Sequence, residues 1–167
     1  MSDVKLFPFH VESSSMEATI PEGVAMIEAP KLWKQGFMGQ GVVVAVIDTG
    51  CQSDHPDLAA NILDGHNFVD PQTPKDYSDY NGHGVIGVAP QAKLLVLKAL
   101  SDQGSGDYQA VIQAIEYAIR WRGPQGERVR ILSMLFGGRE DDPELHAVIQ
   151  KAVLNHILVV SAAGNMG

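Results

Sequence analysis

The sequence holds a single cysteine, Cys51, so no internal disulfide can form, and that fits a reducing compartment. No apolar run approaches the ~20 residues that a bilayer span requires, and none is expected. The N-terminal stretch MSDVKLFPFHVESSS has neither a basic start nor a continuous apolar core, which excludes a secretory signal there. Basic residues are sparse, 12 Lys and Arg against 20 Asp and Glu, for a net charge of −8. No cluster of them could neutralise a row of phosphates, so nucleic acid is not an expected partner. Repeats and low-complexity tracts are missing as well. What remains, 45% hydrophobic and 19% charged over 167 residues, is the composition of one ordinary globular domain. A cytoplasmic protein is the simplest expectation.

Residues 1–17 read as an extension with one apolar patch, Leu6-Phe7-Pro8-Phe9, before the polar Glu12 to Ser15. Pro8 cannot donate a hydrogen bond and favours extended backbone before it. Composition alone would make this stretch a frayed tail. The domain proper is expected over 18–167. Val42-Val43-Val44-Ala45-Val46-Ile47 is a continuous apolar run, the mark of a strand buried on both faces. Leu94 to Leu97, Val129 to Leu135 and Ile157 to Val160 are similar. Between them, Asp107 to Arg122 places Val111, Ile112, Ile115, Ala118 and Ile119 on one helical face. Asp142-Pro143-Glu144 opens a second helix, whose face is Leu145, Val148, Ile149, Ala152 and Val153. Strands alternating with helices predict an α/β fold built on a mostly parallel sheet. In such sheets functional groups collect at the carboxyl ends of strands. That rule selects Asp48, the segment Leu135 to Gly138, and Ala162-Ala163-Gly164-Asn165.

Taken singly, these residues are ambiguous. An aspartate after a buried strand needs a partner or its pKa rises, and an isolated D-T-G is usually a turn. His83 lies between Gly82 and Gly84, where other groups can approach the backbone closely. Asn165 could be a turn residue or an amide donor aimed into a cleft. Cys51 reads as a small hydrophobe, since metal-ligand spacing is missing.

Their order is more telling. V-A-V-I-D-T-G-C, then H-P-D-L, N-G-H-G, G-V-A-P, G-S-G and A-A-G-N resembles the subtilisin family of serine proteases from about Ile20 to Gly167. Cys51-Gln52, Trp121-Arg122-Gly123-Pro124 and the Leu6-Phe7-Pro8-Phe9 patch resemble the intracellular bacterial members, which are also acidic. The resemblance implies a three-layer α/β fold with a subtilisin-like sheet, truncated at the C-terminus, and serine endopeptidase activity on polypeptides. It implies that His83 relays the proton, that Asp48 holds its tautomer, and that Asn165 donates to the oxyanion. It further implies that Gly104, Ser105 and Gly106 pair with an extended substrate and that Tyr108 and Val111 line a distal pocket. Leu135, Phe136, Gly137, Ala162, Ala163 and Gly164 would wall the pocket beside the scissile bond. Leu6 to Phe9 would lie across the cleft as an autoinhibitory segment. A homodimer is compatible with this reading.

Three departures stand out. The family's G-T-S-M-A segment, with its nucleophile, is missing from these 167 residues, and none of the serines present matches it. Only Val85-Ile86 separate Gly84 from Gly87-Val88-Ala89-Pro90, where the family has a helix and a calcium loop. Leu135 replaces a small polar residue, and either crowds the pocket or simply repacks it. Asp57 corresponds to a calcium ligand. With the carbonyl-bearing loop missing and Ala18 where an oxygen ligand is expected, tight calcium binding is not expected. The sequence therefore predicts a serine endopeptidase domain that is inactive as this chain alone. The alternative is a non-catalytic, protease-like module that binds peptides or regulates a true protease. A nucleotide-binding domain fits poorly, because Asp48 stands where phosphate would need glycines.

Overall fold

The structure, a computed structural model, describes residues 20–79, 87–138 and 141–162, and residues 3–6 by backbone alone. Its centre is a five-stranded sheet. The run predicted from Val42 forms β2 (Val43–Asp48), after a short strand β1 (Asp3–Leu6) and two short helices, α1 (Glu22–Met26) and α2 (Ala29–Trp33). Helix α3 (Pro56–Ala59) leads into β3 (Ile62–Asn67), and β4 (Lys93–Lys98) follows. Strand β5 (Ser105–Asp107) runs into α4 (Tyr108–Arg120). Strands β6 (Val129–Met134) and β7 (Phe136–Gly138), helix α5 (Pro143–Leu154) and strand β8 (Leu158–Ser161) complete the order. The large sheet runs β3-β4-β2-β6-β8 with every pair parallel.

The helices form where the sequence starts and stops them. Asp107 caps α4, its carboxylate accepting from Ala110 N at 2.7 Å, and Asp142 caps α5 by accepting from Leu145 N at 2.9 Å. Pro143 takes the first turn of α5, where a missing N–H costs nothing. Helix α4 turns Val111, Ala114, Ile115 and Ala118 onto the sheet, against β2, β4 and β6. Those side chains meet Ala45, Ile47, Leu95, Leu97 and Leu132 in one fully buried core. Helix α5 packs on α4 and β8, burying Val148 and Ala152. Val153, expected on its inner face, is instead exposed, since the helix ends there beside the outermost strand.

The two faces of the sheet differ. Along β2, Val43, Ala45 and Ile47 are buried beneath α4, whereas Val44 and Val46 are only half-buried. Register places Leu94, Val44, Ile131 and Leu158 side by side on that second face. Leu158 and Val160 are exposed there. A parallel sheet is ordinarily covered on both faces, and its strands read as apolar for that reason.

One boundary and one strand differ from expectation. The run Val129 to Leu135 does not stay in one strand: β6 ends at Met134, and β7 belongs to a second, three-stranded sheet of order β5-β1-β7. Strand β3 was not expected, because Asp64, His66 and Asn67 interrupt its apolar pattern.

Candidate active site

Asp48 closes β2, and the chain then turns sharply through Thr49 and Gly50. Gly50 has φ +120°, and a Cβ there would run into the Tyr77 carbonyl, so this turn requires glycine. The turn is stapled to the loop leading towards His83. Cys51 N donates to Tyr77 O at 3.1 Å, and Asp79 N donates to Cys51 O at 3.0 Å. Tyr77 in turn lies over Gly65 of β3, leaving no room for a side chain there. The Asp48 carbonyl accepts from Ala99 N at 3.0 Å and Leu100 N at 3.2 Å, just past β4. The carboxylate accepts from Thr49 N at 2.7 Å, and the Thr49 hydroxyl donates to the buried Asp79.

Burial pushes the Asp48 carboxyl above the ordinary value of 3.8. Thr49 pulls it down through its N–H and side chain, the Asp79 charge pushes it up, and Lys98 pulls it down. A carboxyl raised by folding contributes stability that is present below about pH 3.8 and is lost as pH rises through its folded value. Asp48→Asn is therefore expected to raise the melting temperature of the chain at neutral pH and to leave it nearly unchanged in acid. Paired thermal melts at the two pH values check this. Strain of this kind is typical where a site serves chemistry rather than stability.

Cys51 is half-buried beside this turn, and burial, with a further push from Asp79, raises its thiol to about 11. It is therefore protonated at neutral pH and cannot serve as a nucleophile there. Alkylation by iodoacetamide at neutral pH is expected to run at least about tenfold slower than for a free cysteine thiol. Timed mass spectrometry checks it.

The second sheet has the chain's own N-terminal segment as its middle strand. Strand β1 lies between β5 and β7, antiparallel to both. Val4 is opposite Gly106 and Gly138, and Lys5 is opposite Ser105 and Gly137. Asp3 faces Asp107, and Leu6 faces Phe136. Close approach dictates the glycines. A Cβ on Gly106 would meet the Ala99 carbonyl and Leu100, and one on Gly138 would land on the Tyr108 hydroxyl. Tyr108 is buried, and Val111, beneath it in α4, is wholly enclosed in the core. Gly104 precedes β5 in a turn with φ +71°.

Of the predicted residues, the structure brings Ser105, Gly106, Phe136 and Gly137 together around β1. Leu135 stays outside that pairing, its side chain 55% exposed at the break between β6 and β7. Ala162 follows β8, its N–H donating to Met134 O at 3.2 Å. His83, Asn165, Ala163, Gly164, Phe7, Pro8 and Phe9 lie outside the described residues. Asp107 and Gly138 also take part in the pairing, although the motifs pointed no further than Gly106 and Gly137. Thr49 stands inside the D-T-G motif without a role read from it, and Asp79 and Lys98 carry no motif. A lysine ending an apolar strand beside Asp48's own strand was the available signal.

Asp57 is exposed in the first turn of α3, its carboxylate 3.8 Å from His55 Nδ1. It borders a cavity of about 200 Å3 lined also by Leu58, Asn61, Ala89, Pro90 and Leu94. The Asn61 side chain is engaged, its Nδ2 donating to Pro90 O and its Oδ1 accepting from the Lys93 ammonium at 3.1 Å. Calcium requires six to eight oxygens, and an ammonium already bound to the neighbouring amide does not fit that requirement. No group of three or more His, Cys, Asp or Glu side chains is gathered for a metal among the described residues. No helix among them is long and apolar enough to cross a membrane.

A model of the subtilase family (peptidase S8) matches residues 39–167. The intracellular serine protease of Paenibacillus polymyxa is 47% identical, over 98% of this chain and 54% of its own length. The major intracellular serine protease of Bacillus subtilis is 40% identical, over 99% of this chain and 56% of its own. Subtilisin E of Bacillus subtilis is 38% identical over 89% of the chain and 41% of its own length. The chain thus spans about half the length of the two intracellular relatives. The Paenibacillus match extends over 182 residues, more than the 167 present here, so that relative has residues inside the matched stretch without a counterpart. Matched from residue 39 to residue 167, on a five-stranded parallel sheet, the chain belongs to the subtilase family.

Proposed function

We propose that this chain is the aspartate- and histidine-bearing part of a subtilisin-type serine endopeptidase acting on polypeptides inside the cell, with residues 1–17 as an autoinhibitory extension. The observation that carries this reading is β1, an extended segment hydrogen-bonded on both sides by β5 and β7. A substrate bound by strand addition would take the same place, gaining main-chain hydrogen bonds from both edges. Asp3–Leu6 would then block that place, and the proline two residues further on would keep the following peptide bond out of reaction geometry. In the reaction, Asp48 would hold the His83 imidazole in the tautomer that accepts the nucleophile's proton. Its charge would stabilise the imidazolium, and Asn165 would donate to the oxyanion. The names of the two intracellular relatives support the cellular compartment.

A second reading, a protease-like module that binds peptides without cutting them, draws on the short Val85-Ile86 connection after His83. Two residues span at most ~7 Å, leaving no room for a positioning helix. One experiment separates the two. The chain is joined to the portion of the Paenibacillus relative that lies beyond its match, and the fusion is treated with a serine-directed phosphonate. Endopeptidase function predicts covalent labelling and peptide hydrolysis, both lost in Asp48→Asn. A folded fusion that binds peptide yet takes no label would establish the second reading instead.

A further inference from the structure

We propose that Lys98 is a positioning residue for Asp48: its buried ammonium clamps the turn after β2 and opposes the negative charge that Asp79 brings to bear on the Asp48 carboxylate.

The register sets this up. Lys98 lies directly beside Asp48 across the β2–β4 pair, at the carboxyl end of both strands. Its side chain does not leave for solvent. Lys98 is buried, with its ammonium donating to the Thr49 carbonyl and to Asp102. A buried charge without partners is costly, and lysine is seldom found there unless something holds it. Asp102, whose carboxylate is 62% exposed, pairs with it from the solvent side.

On the inner side stand two carboxylates linked through one threonine. The Thr49 N–H donates to Asp48 and its hydroxyl to Asp79. A second carboxylate so close opposes the ionisation of Asp48 unless a cation sits near it. Lys98 is the cation acting on Asp48 among the described residues. The groups facing Asp48 are therefore Thr49 on its own turn, Asp79 on the loop after β3, and Lys98 on β4 with Asp102 behind it. Cys51, with its thiol raised, adds no charge at neutral pH. The clamp on the Thr49 carbonyl adds geometry to charge. With Ala99 N and Leu100 N bound to the Asp48 carbonyl, the β4 end holds two successive carbonyls of the turn that begins at the carboxylate-bearing residue.

The catalytic meaning of this clamp rests on Asp48 being the triad carboxylate, but its test requires no turnover, so the two ideas can fail separately. In the 167-residue chain labelled with 13C-aspartate, the Asp48 carboxyl is followed by NMR across pH, its signal assigned by loss in Asp48→Asn. Lys98→Met is expected to move the Asp48 midpoint up by about one pH unit, the lower end of what a nearby opposite charge exerts. Lys98→Arg, which keeps the charge, is expected to hold it near the wild-type value. Asp102→Asn, which frees Lys98 from its outer partner, is expected to move it down. A merely structural lysine would give no such opposed pair of shifts. An unchanged midpoint in Lys98→Met overturns the proposal, as do equal shifts in Lys98→Met and Lys98→Arg. Should Lys98→Met fail to fold, Asp102→Asn at an exposed position decides: a downward shift upholds the proposal, and no shift or an upward one ends it.

Discussion

Added to a chromogenic tetrapeptide anilide, the purified 167-residue chain is expected to release no product above the buffer rate. Loss of the serine or histidine of a subtilisin triad lowers kcat by about 10^6, a figure measured on subtilisin itself rather than read from this structure. Several of the described serines are committed elsewhere. Ser133 lies within β6, Ser161 ends β8, Ser105 pairs with Lys5, and Ser78 bridges to Cys51. None stands in the G-T-S-M-A setting that would hold its hydroxyl against an imidazole, and β1 already pairs with the edges of β5 and β7. Turnover that vanishes in Asp48→Asn would show that some other group in this chain serves as nucleophile. Turnover that persists in that variant would point to a contaminating protease.

The second large effect concerns the two faces of the sheet. Leu95 is fully enclosed in the centre of β4, touching the core beneath α4, whereas Leu158 on β8 is 62% exposed. Leu95→Ala is expected to cost about 2–5 kcal/mol, combining lost transfer energy with the cavity left behind. Leu158→Ala should fall within about 0.5 kcal/mol of wild type, the usual range for surface changes. Urea titrations of both variants check the contrast. An equal cost would mean that the second face is covered in solution. Left open, a face carrying Val44, Val46, Ile131, Leu158 and Val160 should also bind a hydrophobic dye and promote association as concentration rises. Leu158→Lys and Val160→Lys together should reduce both, by light scattering and by dye fluorescence. The apolar patterning of these strands answers to partners on both faces, and α4 and α5 supply only one.

How much of this was legible in the sequence follows from where the information lies. The strands that read cleanly, β2, β4, β6 and β8, carry continuous apolar runs because a parallel sheet selects them residue by residue. Both long helices announced their caps, Asp107 and Asp142, and those carboxylates accept the expected N–H groups. Strand β3 escaped because its polar residues have jobs that only the fold reveals. Burial alone would push the Asp64 carboxyl up, but hydrogen bonds from Lys75, Gly65 N–H and Trp121 outweigh it and hold the group below its ordinary value. His66 makes tilted ring contacts with Phe68 and Tyr117, at centroid distances of 4.6 and 4.9 Å, in a cluster where those two rings also touch. Asp48 and Thr49 were readable from the D-T-G motif, yet the partners that Thr49 joins, Asp79 and Lys98, were not. They matter only through the β2–β4 register and a turn closed from 30 residues away, and short-range pattern carries neither. Likewise Leu6 to Phe9 draws attention as an apolar patch, while nothing in the side chains of Asp3 to Leu6 announces a strand paired on both edges. Extended main chain pairing needs no particular side chains, and so leaves little trace in the sequence.

In the proposed reading, β1 takes the place of a substrate strand between β5 and β7. Hydrogen exchange tests it directly, comparing the intact chain with one lacking residues 1–17. Removing the extension is expected to expose the amides of Ser105–Asp107 and Phe136–Gly138 to fast exchange, while those of β2 and β4 keep their protection. A synthetic peptide of residues 1–17, added back, should restore the slow rates. Unchanged protection at β5 and β7 after the deletion would contradict the account.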